Sequence, residues 1–479
     1  MSLVSFLACS LNGRARRALL RVCRAVPGPL SRLATAVVAE RIVRGCALLQ
    51  SASDSGAPRV LVFQAGRFPE DLRALARHGG LTLIEAPLEA IQEANGLFRS
   101  VPAAGVGDDY DYFLEEDPGC LAERSRQLAF CREVLEIVRG RLAFDCAMTP
   151  AVHYRGDFPW AGACEELGVP FVALHKEFTV IDERHLPERI ELYRKGRFRF
   201  QGSWVLVTNE SARKLFTEGR VFDPERIEVT GLPRMDQLFE MGLDSDRQDR
   251  SKQQVTLFSF AHYCGGLGFN KERRSRLFSK NDDEGFVRLF DAVHGAIAEL
   301  AARYPNVTFK IKPKAPADWW KAEIDRVFRA RTGKTTKELP NCAIVSESAA
   351  DLIRNSDVVI GFNSTVLLES LALRRPTIMP YFAEAAETYP YNVYLSDFLE
   401  AFTLARSEGE LTERIEAILE RRGQPAELTA DERHRCLTYY LGFDDPGSAE
   451  RVVAAVRRVV ARYRDGAAPA SPVPAENAA

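Results

Sequence analysis

Three small polar residues interrupt an apolar stretch near residue 360. In SDVVIGFNSTVLLESLALRRPTIMP (356–380), a strand pattern is followed by Asn363, Ser364 and Thr365, and then by a helical pattern that carries Glu369. Hydroxyl groups and free backbone N–H groups at the start of a helix are typical of phosphate binding. A carboxylate one helical turn further on can accept two hydrogen bonds from the diol of a ribose. The stretch therefore predicts a nucleotide site, although an ordinary helix cap with Glu369 in solvent would use the same residues.

Two further segments offer groups that suit a phosphate. FKIKPK (309–314) ends a strand pattern with Lys312 and Lys314, and Lys is a compact cation suited to a departing phosphoryl group. SFAHYCGGLGF (259–269) contains Gly265 and Gly266, which allow the backbone to approach a ligand closely. His262 in the same segment either contacts a phosphate or fills the loop. The alternatives for these segments are a solvated strand end and a plain turn.

Candidate proton acceptors follow two strand patterns in the first half of the chain. VPFVALHKE (169–177) ends in His175 and Glu177, and AVHYRGDFPW (151–160) contains His153 and Asp157. A histidine or a carboxylate can act as a general base on a hydroxyl group. We favour Glu177 or His175 for that role, with His153 and Asp157 as the next candidates. The competing interpretation is a charged loop without catalytic function.

The elements that must position these residues alternate between strand and helix along most of the chain. Such alternation predicts parallel sheets with helices on both faces, and ligands of such sheets bind at the carboxyl ends of the strands. The pattern runs twice, so the predicted fold is α/β, with two doubly wound Rossmann-like domains facing a cleft. The predicted organisation is a basic amphipathic segment (1–50), an acceptor domain (57–241), a linker (242–254), a nucleotide-donor domain (255–445), a C-terminal helix (446–465) and a disordered tail (466–479).

Composition excludes several classes of protein. The 479 residues include 64 Lys and Arg against 66 Asp and Glu, so the net charge does not indicate nucleic-acid binding. The ten cysteines form no CxxC pair, and no apolar run approaches the length of a membrane span. Two DxD patterns, 109–111 and 244–246, are typical of metal-dependent sugar transferases but arise easily by chance. We expect no metal and no cofactor other than a nucleotide-activated donor, which would be the substrate.

The N-terminal segment is strongly basic. Residues 1–50 contain eight Arg, no Lys and one acidic residue, Glu40. On a helical projection four arginines share one face, and five apolar residues share the opposite face: Arg14, Arg17, Arg21 and Arg24 against Ala15, Leu19, Val22, Cys23 and Val26. This pattern is typical of a helix lying on an anionic membrane surface, and equally of a surface helix docked on the first domain.

Beyond these local patterns, residues 140–460 resemble a known superfamily. The segment IEVTGLPRMDQL (227–238), the Lys-Pro strand end and the Asn-Ser-Thr…Glu-Ser-Leu segment are similar to GT-B-fold transferases of bacterial surface and capsular polysaccharides. Segment 227–238 also resembles a run in CDP-glycerol glycerophosphotransferases, through Gly231, Pro233, Arg234 and Asp236. The resemblance implies a nucleotide-activated donor in the second domain and an acceptor in the first. Several of these families carry His-Pro where this chain has Lys312-Pro313, which puts an acid role in doubt.

The resulting functional prediction is a metal-independent glycosyltransferase that builds a bacterial cell-surface glycan of capsular or lipopolysaccharide type. Its partners would be a nucleotide-sugar donor and a glycan or lipid-linked glycan acceptor, in the cytoplasm or at the inner membrane face. Two alternatives share the fold: a CDP-glycerol-type glycerophosphotransferase, and an inactive module that serves as a binding or scaffold subunit. A nucleotide-sugar 2-epimerase also has this architecture, but no motif in the sequence points to it.

Overall fold

The computed structural model describes most of the chain in two compact units. The described residues are 4, 7, 13–25, 28–98, 117–177, 179–243, 252–269, 277–315, 317–420 and 429–466. The first domain comprises residues 1–179, 185–236 and 447–479, and the second comprises 180–184 and 237–446. The boundary after Asp236 precedes the linker predicted at 242–254, of which 244–251 lie outside the described residues. Both DxD patterns also lie outside them.

The thirteen described strands form two sheets, one in each domain. The first sheet contains β1 (Ala47–Gln50), β2 (Arg59–Val62), β3 (Thr82–Glu85), β4 (Cys146–Thr149), β5 (Phe171–His175), β6 (Trp204–Val207) and β7 (Ile227–Val229). The second contains β8 (Gln254–Phe258), β9 (Thr308–Lys312), β10 (Cys342–Ile344), β11 (Val358–Gly361), β12 (Thr377–Pro380) and β13 (Thr403–Ala405). All neighbouring pairs are parallel except β1 with β3. The two doubly wound α/β domains predicted from the sequence are therefore confirmed.

Helices connect the strands. Those that precede the second sheet are α1 (Gly13–Ala25), α2 (Pro29–Gly45), α3 (Pro69–His78), α4 (Leu88–Asn95), α5 (Pro118–Leu142), α6 (Phe158–Glu166), α7 (Leu186–Lys195), α8 (Glu210–Glu218) and α9 (Pro233–Leu243). The later ones are α10 (Val287–Arg303), α11 (Asp318–Thr332), α12 (Ala349–Asn355), α13 (Val366–Ala372), α14 (Glu384–Glu387), α15 (Glu408–Leu419), α16 (Ala430–Leu441) and α17 (Ser448–Arg464).

The last helix, α17, belongs to the core of the first domain. Val452, Val456 and Val459 are buried in the same apolar cluster as Val62 of β2 and Leu83 of β3. Fully burying an aliphatic side chain of this kind stabilises a fold by about 1.5–3 kcal/mol. The helix was predicted as a separate C-terminal element, and the structure instead assigns it to the first domain.

Two residues of the motif that resembles CDP-glycerol glycerophosphotransferases contact other parts of the first domain, and one of them, Asp236, binds the start of α17. The backbone N–H and the guanidinium of Arg234 both donate to the carboxylate of Asp71 at 3.1 Å. Asp236 accepts hydrogen bonds from the N–H groups of Ser448 (3.0 Å) and Ala449 (2.7 Å), which are unpaired donors of the first turn of α17. These contacts give Arg234 and Asp236 a structural role in the first domain.

The basic N-terminal helix α1 is docked on the first domain. Its buried face consists of Arg16, Leu20 and Cys23, and Arg16 pairs with the buried carboxylate of Glu93 at 2.8 Å. Of the apolar face predicted from the sequence, Cys23 is buried, whereas Ala15, Leu19 (36%) and Val22 (63%) are exposed and Val26 lies outside the described residues. Among the described residues, no helix is both long and apolar enough to cross a membrane.

Candidate functional site

In the second sheet, the direction in which successive strands are added changes at β8, which is the first of its strands in the chain. The order is β10-β9-β8-β11-β12-β13, so successive strands are added on one side of β8 and then on the other. Strands β8 and β11 are adjacent and parallel, and their carboxyl ends therefore meet at one edge of the sheet. Such a switch point is where open α/β sheets bind ligands. The glycine segment follows β8 and the Asn-Ser-Thr turn follows β11, so the structure brings these two motifs to the switch point.

The two motifs are in direct contact. Gly265 has a φ of +58°, and a Cβ atom placed on it would lie 2.1 Å from Nδ2 of Asn363 and 2.7 Å from the carbonyl oxygen of Asn392. A Cβ atom on Gly266 would lie 2.8 Å from Nδ2 of Asn392. A side chain at either position would separate the two loops. The glycines are therefore needed for packing, independently of any ligand.

Asn363 positions the loops around it. Its φ of +48° lies in the left-handed region, which asparagine tolerates better than most residues. Its Oδ1 accepts a hydrogen bond from the N–H of Tyr394 at 2.7 Å, and its Nδ2 donates to the carbonyl of Asn392 at 3.3 Å. Nδ2 also lies 3.8 Å from Sγ of Cys264. The amide is thus engaged within the domain, and the predicted contact of Asn363 with a phosphate stays a prediction.

Ser364, Thr365 and Glu369 form the polar side of the turn. Ser364 and Thr365 are partly exposed; the N–H of Val366 donates to Oγ of Ser364 at 3.4 Å, and Oγ1 of Thr365 donates to Oε1 of Glu369 at 3.4 Å. Every other residue of α13 is buried, so Glu369 is the one residue of that helix that reaches the surface. Because α13 has only seven residues, the two hydroxyls rather than the helix dipole would provide most of the affinity for a phosphate.

A cationic strand end lies beside the glycine segment. Lys312 is partly exposed at the end of β9 and Lys314 is exposed, whereas Lys310 is held by Glu347 at 2.8 Å. Neither Lys312 nor Lys314 forms an ion pair with another described residue. Lys312 is paired with Phe258, the last residue of β8, so this strand end lies beside the start of the segment that carries the glycines. Burial raises the pKa of the Cys264 thiol to about 12, and the hydrogen bond with Asn363 and the charge of Lys314 act in the opposite direction.

His262 lies inside the loop that precedes the glycines. Its side chain is buried, its Nδ1 accepts a hydrogen bond from the N–H of Ser279 at 3.1 Å, and its ring contacts Phe278 and Phe290 at centroid distances of 4.8 and 5.1 Å. Burial lowers the pKa of His262 to about 4, so the imidazole is neutral near pH 7. The geometry matches the loop-filling alternative more closely than the phosphate contact.

In the first domain, Asp157 lies at the corresponding switch point between β2 and β4. Gln64, which follows β2, donates to its Oδ1 at 3.1 Å, and Thr149, the last residue of β4, donates to its Oδ2 at 2.7 Å. The carboxyl group is buried. Burial raises the pKa of Asp157 to about 6, although both hydrogen bonds act in the opposite direction. Asp157 is therefore mostly ionised at pH 7 and has a basicity suited to proton transfer, but the structure gives it little access to solvent.

Glu177 is the accessible carboxylate of this region. It is partly exposed, pairs with Lys176 at 3.1 Å and accepts a hydrogen bond from the hydroxyl of Tyr154 at 3.2 Å. Partial burial raises the pKa of Glu177, but the charge of Lys176 and these hydrogen bonds outweigh it and hold the pKa below its ordinary value. Glu177 is consequently ionised at neutral pH, and its lowered pKa makes it a weaker base than an ordinary glutamate; its role as the base stays a prediction.

The two histidines are less accessible. His175, the last residue of β5, is 1% exposed, and its Nδ1 accepts a hydrogen bond from the N–H of Val152 at 3.3 Å. Its ring lies 5.7 Å from that of His153. Burial lowers the pKa of both residues, to about 4 for His153 and well below the ordinary value for His175. All four predicted acid–base residues thus follow β4 and β5, but Glu177 is the one that combines charge with exposure.

An aromatic group beside the lysines was not anticipated from the sequence. Trp319, in the first turn of α11, is 44% exposed and stacks on the buried Trp320. Two consecutive tryptophans directly after a Lys-Pro strand end, in a chain with four tryptophans, are the signal that would have identified it. Asn392 was missed as well, because its contacts with the glycines depend on a loop far along the chain.

A separate cleft of about 660 Å³ lies in the second domain, away from these motifs. It is lined by α10, by the segment around Phe382 and by the start of α15. Of its three arginines, Arg288 and Arg331 are paired with carboxylates, and Glu384 accepts hydrogen bonds from the first N–H groups of α10. Nowhere in the described part of the chain do three or more His, Cys, Asp or Glu side chains form a possible metal site.

Comparison with known proteins gives similarity at the level of structure. No protein-family model matches the sequence, and no curated protein matches it. The UDP-GlcNAc 2-epimerase from Neisseria meningitidis bound to UDP-GlcNAc has 13% identity and a TM-score of 0.44, covering 84% of this chain and 100% of that one. The Methanocaldococcus jannaschii UDP-GlcNAc 2-epimerase in complex with UDP-GlcNAc and UDP has 14% identity and a TM-score of 0.42, covering 84% and 99%. The wall teichoic acid polymerase TagF has 10% identity and a TM-score of 0.39, covering 66% and 72%. At these scores the likeness does not identify the activity of this chain.

Substitution of Gly265 by Ala should disrupt the switch point of the second sheet. The new Cβ atom would overlap Asn363, and a non-glycine residue at this φ adds strain of about 1–3 kcal/mol. We expect a lower melting temperature in differential scanning calorimetry. Gly268→Ala is the matched control, because a Cβ atom there would meet nothing closer than 3.8 Å. Equal melting temperatures for the two variants would contradict the packing role of Gly265.

The raised pKa of Asp157 makes a prediction about stability and pH. The folded state holds the proton of Asp157 up to about pH 6 and the unfolded state only up to about its ordinary pKa of 3.8. This group therefore stabilises the fold at low pH, and its contribution is lost as the pH rises between these values. The free energy of unfolding of Asp157→Asn, relative to the unsubstituted protein, should rise by about 2 kcal/mol between pH 4.0 and 7.5 in urea titrations. Asp54→Asn, at an exposed site, is the control, and parallel pH profiles for Asp157→Asn and the unsubstituted protein would show that Asp157 is not shifted.

Proposed function

We propose that this protein is a metal-independent glycosyltransferase that uses a nucleotide-activated sugar to build a bacterial cell-surface glycan. The observation that supports it is the convergence, at the switch point of the second sheet, of two hydroxyls, a surface carboxylate and a cationic strand end. Ser364 and Thr365 would bind the donor phosphates, Glu369 the ribose, and Lys312 with Lys314 the departing diphosphate. Such a set of groups suits a nucleotide better than it suits an uncharged metabolite.

In the proposed reaction, an acceptor hydroxyl attacks the anomeric carbon of the donor sugar, and the bond from that carbon to the phosphate oxygen breaks. Glu177 accepts the proton of the hydroxyl, and the nucleoside diphosphate leaves as an anion. The lysines stabilise the charge that develops on the leaving oxygen, which is the type of electrostatic assistance that contributes most in many enzymes. This assistance requires no proton donor, so a lysine in place of histidine before Pro313 is compatible with it.

Two other activities share this site, and their products distinguish them from the proposed one. A glycerophosphotransferase would add phosphorus to the acceptor, and an epimerase would convert the nucleotide sugar without an acceptor. The Gly-x-Pro-Arg-x-Asp run does not favour the first of these, because Arg234 and Asp236 have structural partners in the first domain. An inactive module would bind nucleotides without turnover.

We also propose that α1 attaches the enzyme to an anionic membrane surface. With Arg16, Leu20 and Cys23 facing the domain, the helix leaves Leu19 and Val22 exposed. The exposed residues Arg14 and Arg17 form no ion pair with a described residue. The twelve residues before the helix, MSLVSFLACSLN, carry no charged side chain. An exposed apolar strip beside unpaired arginines is complementary to the headgroups and acyl chains of an anionic bilayer.

Removal of both hydroxyls tests the phosphate site. Ser364→Ala combined with Thr365→Ala should weaken the binding of nucleoside diphosphates by about 2–4 kcal/mol, because two hydrogen bonds to a charged group are lost. The measurement is isothermal titration calorimetry with UDP, CDP and GDP. Thr412→Ala, a helical threonine of the same domain whose hydroxyl donates to Glu408, is the matched control. Unchanged affinity in the double variant would remove the basis of the proposed function.

Substitution of Glu177 by Gln tests the base. The shape of the side chain is kept and the proton acceptor is lost, so turnover should fall by roughly 10²–10⁴-fold with little change in donor affinity. Asp157→Asn and His175→Ala are measured beside it, with Glu188→Gln at an exposed helical position as the control. A normal rate for Glu177→Gln with an inactive His175→Ala would move the role to the histidine. Normal rates in all three would exclude a base from these strand ends.

Vesicle sedimentation tests the membrane surface. Arg14→Glu with Arg17→Glu should reduce partitioning into vesicles of phosphatidylcholine and phosphatidylglycerol by more than tenfold at low salt, since each basic residue near such a surface contributes about 1 kcal/mol. Val22→Asp should reduce it too, and Leu192→Asp, at an exposed leucine of α7, should not. Equal sedimentation of all variants, or equal binding to pure phosphatidylcholine, would contradict the proposal.

A further inference from the structure

The exposed indole of Trp319 is fixed rigidly in place. Its ring stacks on that of Trp320 with a centroid distance of 5.4 Å and an interplanar angle of 21°, and the ring of Phe278 meets it at 5.0 Å and 63°. Trp320 is buried and donates its indole N–H to Oγ of Ser259 at 2.9 Å. One face of Trp319 is therefore covered by a residue that is itself anchored to the end of β8. Trp319 nevertheless remains 44% exposed, so part of its indole is accessible to solvent.

A single exposed aromatic residue is common on protein surfaces and by itself indicates little. Trp319 differs in its surroundings. Helix α11 begins a few residues after Lys312 and Lys314, at the carboxyl end of β9. Phe278, which contacts Trp319, also contacts His262 at 4.8 Å in the segment that leads to the glycines. The exposed indole thus follows the cations closely along the chain, and through Phe278 it is linked to the loop that would hold a diphosphate.

The spacing of the strands suits a nucleotide. Strand β9 is separated from β11 by β8 alone, so the ends of β9 and β11 are about two strand spacings apart, or about 10 Å. An extended nucleoside diphosphate has a comparable length. A phosphate at the turn after β11 would therefore allow a planar base to reach the end of β9, where the lysines also lie.

We propose that Trp319 is the stacking platform for the nucleobase of the donor, a specificity role that rests on the proposed nucleotide site. Stacking on an aromatic face accepts any base, because every base has a π surface. The platform would thus add affinity for nucleotides over free phosphates without selecting between pyrimidines and purines. Selection between bases would require hydrogen bonds to the base edge.

The experiment compares Trp319→Ala and Trp319→Phe by titration calorimetry with CDP, UDP and inorganic pyrophosphate. Loss of the indole should weaken CDP and UDP roughly 5- to 150-fold, and leave pyrophosphate unchanged. Phenylalanine should restore most of the nucleotide affinity. Lys321→Ala, at a partly exposed position on the same helix, is the matched control and should bind like the unsubstituted protein. Binding of CDP or UDP should also quench the tryptophan fluorescence, and the quenching should be lost in Trp319→Phe.

The outcomes separate the platform from the site on which it rests. Equal binding of CDP and UDP by Trp319→Ala and the unsubstituted protein would overturn the platform and leave the nucleotide site intact. Weakened binding of pyrophosphate together with the nucleotides would show a general disturbance of the domain, and would also overturn it. An effect confined to a glycan acceptor would identify the indole as a sugar-binding face instead. Failure of the unsubstituted protein to bind any nucleotide would overturn both proposals.

Discussion

The close approach of Gly265 to Asn363 is the contact on which the candidate donor site depends. It joins the loops after β8 and β11, the two strands between which the second sheet reverses its order. Asn363 then uses its amide to hold the segment around Asn392 and Tyr394. With the loops fixed in this way, Ser364 and Thr365 remain at the surface of the turn. Among the residues that look most like ligand-binding groups in the sequence, Gly265 and Asn363 therefore build the turn. Ser364 and Thr365 lie on its surface, where a ligand could reach them.

Most strands could be predicted because a parallel strand covered on both faces is a short apolar run, as in VTLF of β8. Strand β1, Ala47–Gln50, was missed because it is an exposed antiparallel edge that follows directly on helix α2, and its burial gives no alternating pattern. The destination of α17 was also out of reach. Its amphipathic pattern predicts a helix with one buried face, but nothing in a pattern specifies which of two sheets that face covers.

The candidate site likewise contains residues that could be located from the sequence and residues that could not. Strand ends and turn chemistry place Ser364, Lys312 and Glu177 from sequence alone, because the carboxyl edge of a parallel sheet is a fixed location. Burial of individual side chains is not fixed in this way. His175 and His262 follow strands as expected, yet their rings lie in the interior, where burial lowers their pKa values. The role of Asp236 was equally hidden, since its partners at the start of α17 are more than 200 residues away.

In the proposed reaction, the charges of Glu177 and of the two lysines, Lys312 and Lys314, would have different effects. In the first domain, Lys176 and Tyr154 hold Glu177 in its ionised form, which makes it available but weakens it as a base. General-base assistance falls as the pKa of the base falls below the operating pH, so a weakened Glu177 would lower the barrier less. Stabilisation of the charge on the departing diphosphate by Lys312 and Lys314 would then carry a larger share of the proposed catalysis. Lys312 and Lys314 make no ion pair with other described residues, so their charges would be available for that stabilisation, which needs no proton donor.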